Sequence, residues 1–204
     1  KKKSKKEHKK ESKKSKSSSK KDSHHSSKPT IIKEYTDSPF TGIFNELTKK
    51  CQNKNIFEAG VINITGNKHP MASPYKTIVD FNYTGSSYGS ENQPNSFICF
   101  DFKGKMVALS AYTIKSSNQM SPDFIKSWVV EGSDDKVKWT QIDSHENDSS
   151  LCSRSKICVF KIEDKKKRKM KFKFIQIRMT GKSDKGNYYF DLTNVELFGE
   201  YYEN

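Results

Sequence analysis

Beyond Lys28 the apolar residues of this chain are almost all β-branched or aromatic. Ile and Val total 23 and Phe and Tyr 22, against 5 Leu and 4 Ala. Branched and aromatic side chains pack well on pleated surfaces, and the strongest apolar helix formers are scarce. They fall in short runs divided by Gly, Pro, Asn, Asp and Ser, a spacing of strands and turns. The sequence therefore predicts an all-β domain over residues 36–204, long enough to bury one sizeable core.

Residues 1–35 differ sharply. Thirteen Lys stand against Glu7, Glu11 and Asp22 in residues 1–28, which hold +10 of the net charge of +14. Before Ile31 there is no aliphatic or aromatic residue. Such a stretch cannot bury enough surface to offset its ordering entropy, so it is predicted to be a disordered linker. Its charge could draw nucleic acid or anionic lipid. His8, His24 and His25 form an unshaped metal-ligand set at best. No apolar run approaches the roughly 20 residues that span a bilayer. A start at Lys1 without an apolar leader suggests a fragment.

Ser38-Pro39 predicts the start of a short helix, with Phe40, Ile43, Phe44 and Leu47 on one face and Lys49 and Lys50 at its end. Eight or so strands are then predicted, at 61–65, 78–80, 96–102, 107–115, 125–131, 138–143, 157–162, 172–179 and 191–200. The Lys103-Gly104-Lys105 turn predicts that 96–102 and 107–115 pair as a hairpin. Long loops before the last strands favour a jelly-roll order over a meander. Cys99, within Phe97-Ile98-Cys99-Phe100, is expected in the core. Cys152 and Cys158 could bridge, although reduced cysteines are the favoured reading, with Cys51 the fourth. Trp128 and Trp139 both lie in strand patterns and are read as core plugs, so Trp139→Ala should cost about 3–5 kcal/mol. Arg178 should face away from Ile175, Ile177 and Met179, to pair with an acid on the sheet face or to reach the ligand end.

Several segments resemble one family. Asp101-Phe102-Lys103, the run Ile125-Lys126-Ser127-Trp128-Val129-Val130-Glu131-Gly132-Ser133-Asp134-Asp135 and Trp139 are similar to the discoidin, or coagulation factor 5/8 type C, pattern. So are Phe174-Ile175-Gln176-Ile177-Arg178-Met179-Thr180-Gly181 and Asn194-Val195-Glu196-Leu197-Phe198-Gly199. The resemblance covers residues 60–200. It implies an eight-stranded antiparallel jelly-roll β-sandwich of the galactose-binding-like type. Lys136 departs from the usual Asp-Gly turn. Secreted members commonly bridge cysteines at the two domain ends, and no Cys lies near Gly199, which points to the intracellular branch, in cytoplasm or nucleus. Members of that branch resemble accessory domains beside oligomerising or ubiquitin-ligase modules.

Chemistry is sparse. His69 and His145 are the histidines of the folded region, and no G-x-S-x-G, P-loop or H-E-x-x-H motif occurs. Asp134-Asp135 reads as a turn rather than an acid pair. The expectation is a noncatalytic binding module, not an enzyme. The resemblance implies that loops 67–75, 82–92, 116–123 and 182–189 at one end hold the ligand, a protein segment or a glycan. Tyr75, Tyr83, Tyr88 and Tyr188 offer flat apolar faces with polar tips. Asn82, Ser87, Asn92, Ser117, Asn118, Asp184, Lys185 and Asn187 offer donors and acceptors. The competing reading is a core cap with solvated loops. No cofactor is expected; Asp80 matches an acidic calcium position of some relatives, but falls short of six to eight oxygens. The rival function is a nucleic-acid or anionic-membrane binder acting through the tail and basic residues 165–169, which otherwise read as a solvated loop or an import signal.

Overall fold

The computed structural model describes residues 28–203; residues 1–27 of the linker expected over 1–35, with its histidines, lie outside them. In chain order the elements are β1 (Ile31–Lys33), α1 (Ile43–Lys50), β2 (Asn63–Gly66), β3 (Phe97–Asp101), β4 (Met106–Ser116), β5 (Trp128–Ser133), β6 (Thr140–His145), β7 (Ile157–Lys161), β8 (Lys171–Phe172), β9 (Phe174–Met179) and β10 (Leu192–Tyr202). Two antiparallel sheets face each other. One runs β1-β10-β4-β7, with β8 also on β4, and the other β2-β3-β9-β5-β6. This is the all-β sandwich with one short helix that the composition predicts.

The alternation works as expected along β9. Ile175, Ile177 and Met179 are buried in the core, while Arg178 turns outward and grips Glu131 with Nε and Nη2 at 3.0 and 2.8 Å. Trp128 is fully buried, and Cys99 is 2% exposed, with burial pushing its thiol up to about 11. All four cysteines are free thiols.

Several expectations are corrected. The sheet begins at Ile31, inside the stretch assigned to the linker, because β1 pairs with β10 and Ile31 drops into the core. Residues 78–80 are not a strand; Tyr75–Val79 is a 3₁₀ turn. β3 and β4 do not form a hairpin, for the chain crosses between sheets after β3 and the two strands take different partners. The predicted strand at 172–179 is two strands, one in each sheet, with Phe172 at the crossover. Gly132 makes room there, since a Cβ on it would sit 2.2 Å from the Phe172 ring. The hairpin from β5 to β6 forms as predicted, with Lys136 in the left-handed region (φ 60°) and Asp135 Oδ1 accepting from Val137 and Lys138 N–H. That turn leaves Trp139 only partly buried, its Nε1 donating to the Lys136 carbonyl at 3.2 Å. Trp139 is not a core plug.

The helix starts at Ile43 rather than Ser38, and its cap comes from far away. Glu196 on β10 is fully buried, and its carboxylate accepts from the N–H groups of Gly42, Phe44 and Asn45 at 2.8–3.1 Å, and from Leu197 N–H at 2.8 Å. The unsatisfied donors of a helix's first turn need such a partner. Burial pushes Glu196 up to about 7, with the four N–H donors pulling the other way.

Candidate functional site

Register decides which loops can meet. β2 ends and β3 begins where β9 ends and β5 begins, and Ser116 at the end of β4 pairs with Leu192 at the start of β10. Loops 67–75, 82–92, 116–123 and 182–189 therefore leave the sandwich at one end. They are bonded to one another: Ser87 Oγ meets Ser117 Oγ at 2.6 Å, Asn118 Nδ2 donates to Gly85 O at 2.7 Å, and Tyr188 N–H donates to Asn92 Oδ1 at 2.8 Å. Phe124 N–H donates to Asp184 Oδ1 at 2.8 Å, and Lys185 Nζ donates to Ser121 Oγ at 2.6 Å.

These bonds sort the anticipated site residues. Tyr88 is completely buried, its ring 5.8 Å from that of Tyr75, so it caps the core and cannot face a ligand. Ser87 and Ser117 are likewise buried and spend their hydroxyls on each other. Those three assignments are corrected: the loops fold inward at these positions. Tyr75 donates its hydroxyl to Gly66 O at 2.8 Å, and Tyr83 shares its own with Ser73 at 3.3 Å. Asn92, Asn118, Asp184 and Asn187 brace one loop against another. Asn82 stands apart, lining a cavity beside α1. Lys185 and Tyr188 remain at the rim, with Lys182 Nζ 5.8 Å from the centre of the Tyr188 ring.

The opening these loops enclose is walled by residues outside the anticipated ligand contacts. His69, Tyr189, Asp123 and Asp191 line a cavity of about 360 Å3, with Met71 at its edge, 88% exposed. Asp123 is buried, and its Oδ1 accepts from Ser183 Oγ at 2.6 Å and Asn187 Nδ2 at 3.0 Å. Asp191 Oδ2 accepts only a long 3.3 Å bond from Asp123 N–H. Burial pushes Asp191 up to about 6, and the neighbouring Asp123 adds to that. Signals for these positions were present: Asp123 follows Pro122 in a polar loop, and Asp191 interrupts an aromatic-apolar run at a strand start.

The other histidine is built into the frame. His145 Nε2 lies 3.1 Å from Asp143 Oδ2, its Nδ1 lies 2.8 Å from Asp148 Oδ2, and its ring stacks on Trp128 at 4.3 Å. Both nitrogens are taken by carboxylates, so neither can activate a nucleophile. Burial pulls its pKa down, but the two carboxylates outweigh that and hold it above the usual value. Near Asp80, the carbonyls of Thr77, Ile78 and Asp80 converge on Asn194 Nδ2 at 3.0, 3.4 and 3.0 Å. An amide donor fills this carbonyl cage. No group of three or more His, Cys, Asp or Glu with metal-site geometry occurs among the described residues.

Set beside known structures, the sandwich aligns with a family 32 carbohydrate-binding module of Clostridium perfringens, solved with GalNAc-β-1,3-galactose, at TM-score 0.53. The alignment is 14% identical and covers 69% of this chain and 96% of that one. The fold is galactose-binding-like. A family 32 module from C. perfringens NanJ in complex with galactose (TM-score 0.51, 10% identity, 68% and 93% covered) places it in the same class. So does chitosan-binding module 1 from a chitosanase/glucanase of Paenibacillus sp. IK-5 (0.51, 12%, 68% and 96%). No family model matches the sequence. Among curated proteins, the Drosophila melanogaster E3 ubiquitin-protein ligase Ufd4 is 21% identical over 155 residues, 74% of this chain. The match spans 6% of that protein's length. Among the described residues no helix is long and apolar enough to cross a membrane.

Proposed function

We propose that this sandwich is a noncatalytic recognition module that captures a protein segment through its loop-end cavity, as an accessory domain of a larger intracellular protein. The carrying observation is four loops locked together around Asp123, Asp191, His69 and Tyr189. A rigid frame with recognition on its loops is the usual arrangement of a binding domain. The structural relatives are carbohydrate-binding modules rather than catalytic domains, which supports the noncatalytic reading. The match to a small part of a ubiquitin ligase supports the accessory role and the intracellular setting.

Asp191 keeps one carboxylate oxygen without a hydrogen-bond donor among the described residues, beside an aromatic wall. That favours a cationic or N–H-rich side chain from a peptide. A glycan is the second reading, supported by the ligands of the structural relatives. Peptide and glycan arrays separate the two. Asp191→Asn, Tyr189→Ala and Asn187→Ala should each weaken capture, the last by releasing Asp123. Deleting residues 1–27 should leave capture intact. Steep loss of binding with salt together with loss on tail deletion would instead establish the basic tail as the binding element.

A further inference from the structure

The five consecutive cations of residues 165–169 lie away from the loop end, and they form a shaped turn rather than a loose loop. Asp164 Oδ1 accepts from Lys166 and Lys167 N–H at 2.8 and 3.3 Å, and Arg168 N–H donates to the Asp164 carbonyl at 3.0 Å. Lys167–Lys169 then make a 3₁₀ turn. Like charges are thus held side by side against their repulsion, the arrangement of a surface kept for an anion.

The turn crosses the outer face of the β10-β4 pair and covers a cavity of about 250 Å3, with Lys165, Arg168 and Lys169 on its walls. Its floor is bare. The register between β10 and β4 slips between Phe198 and Gly199, and Gly199 has φ 135°. A Cβ there would lie 2.1 Å from the Ala108 carbonyl, so no side chain can cover that spot. Beside it, Ser110 is 94% buried by the 6% it leaves exposed, and its hydroxyl has no partner among the described residues. A buried hydroxyl without a partner is costly.

Two acids also line the cavity, and each is engaged: Glu34 with Arg168 at 3.2 Å, and Glu200 with the Tyr202 hydroxyl. Lys165 and Lys169 have no carboxylate partner among the described residues. The charge left over is positive. The chain also enters the fold on this sheet, Thr30 N–H donating to Tyr201 O at 2.8 Å.

We propose that this cavity is a second binding site, for the phosphate group of an anionic ligand. Lys165, Lys169 and the Arg168 fork would take the phosphate oxygens, with the Ser110 hydroxyl as donor at the floor. The volume of about 250 Å3 admits a phosphate or pyrophosphate against the basic walls. The test is titration of the isotope-labelled full chain with pyrophosphate, followed by amide chemical shifts. Saturable shifts are expected at Ser110, Gly199 and the 165–169 turn. The double variant Arg168→Glu/Lys169→Glu, both exposed, should keep its melting temperature and lose affinity by about tenfold or more. Ser110→Ala should lose less. A second arm uses phosphatidylcholine vesicles with and without phosphatidic acid. Vesicle capture that pyrophosphate competes away assigns the phosphate to a lipid headgroup; pyrophosphate binding without vesicle capture assigns a soluble phosphate. Shifts scattered over unrelated lysines without saturation, or unchanged affinity in the double variant, overturn the site.

Discussion

Two carboxylates, one within β10 and one just before it, meet opposite fates. Glu196, in the middle of β10, is surrounded by four N–H donors, three at the start of α1 and the fourth from Leu197 beside it. Asp191, one residue before β10, accepts a single long bond and sits near a second acid in an open cavity. Both are pushed upward by burial, to about 7 and about 6. The contrast lies in what surrounds them. A carboxylate whose lone pairs are consumed by backbone belongs to the frame, whereas one kept short of partners at a surface opening costs stability that a ligand can restore. Stability given up at a site is a common mark of function.

The same chemical change at both positions tests this most directly. Glu196→Gln places an amide NH2 against backbone donors and should cost about 3–5 kcal/mol in urea unfolding, as breaking a buried charged network does. Asn194→Asp, between them on β10, should cost about 2–4 kcal/mol in chelator, because a carboxylate then faces three carbonyl oxygens. Millimolar calcium should recover part of that loss, since the site would then offer a hard cation several oxygens. Asp191→Asn should do the reverse and stabilise the domain by about 1–3 kcal/mol at neutral pH. Its folded pKa is raised, so the native acid contributes fully below pH 3.8 and loses that contribution as pH rises through about 6. The variant should lack this fall. If Asp191→Asn instead destabilises as Glu196→Gln does, the contrast fails.

His145 is a third, fully partnered case with the opposite charge. Its folded pKa is raised by Asp143 and Asp148 over the opposing effect of burial. Its contribution is complete below the unfolded value of 6.5 and disappears as pH rises through the folded one. Thermal melts across that range should show a loss of stability with rising pH that His145→Gln lacks. Trp139→Ala should cost less than the roughly 3–5 kcal/mol expected of a core tryptophan, because the ring is only partly buried.

What could be read from the residues followed the range of the forces involved. Alternation along 174–179 placed Ile175, Ile177 and Arg178 correctly, because a pleat fixes which face each side chain takes. It says nothing about which strand lies alongside, so β3 and β4 looked like a hairpin although they belong to opposite sheets. The helix boundary was missed for a similar reason. Its cap is 152 residues away from Phe44 along the chain. At the loop end, the loops that gather together were identifiable, but the outward-facing atoms were not. Ser87, Ser117 and Tyr88 look like ligand residues until contacts 30 or more residues distant bury them. Asp123 and Asp191 become notable only once Asn187 and the 68-residue separation between them are closed in space.

The short β1 strand carries a practical warning for anyone handling this domain. Trimming the chain at residue 36, where composition shifts, would strip Ile31 from its socket and release Lys33 from its 3.0 Å contact with Glu46 on α1. It would also bare the β10 edge at residues 199–201 to any other chain in solution. Unprotected sheet edges recruit further strands, so the shortened protein should self-associate, while one that retains residues 28–35 should remain dispersed.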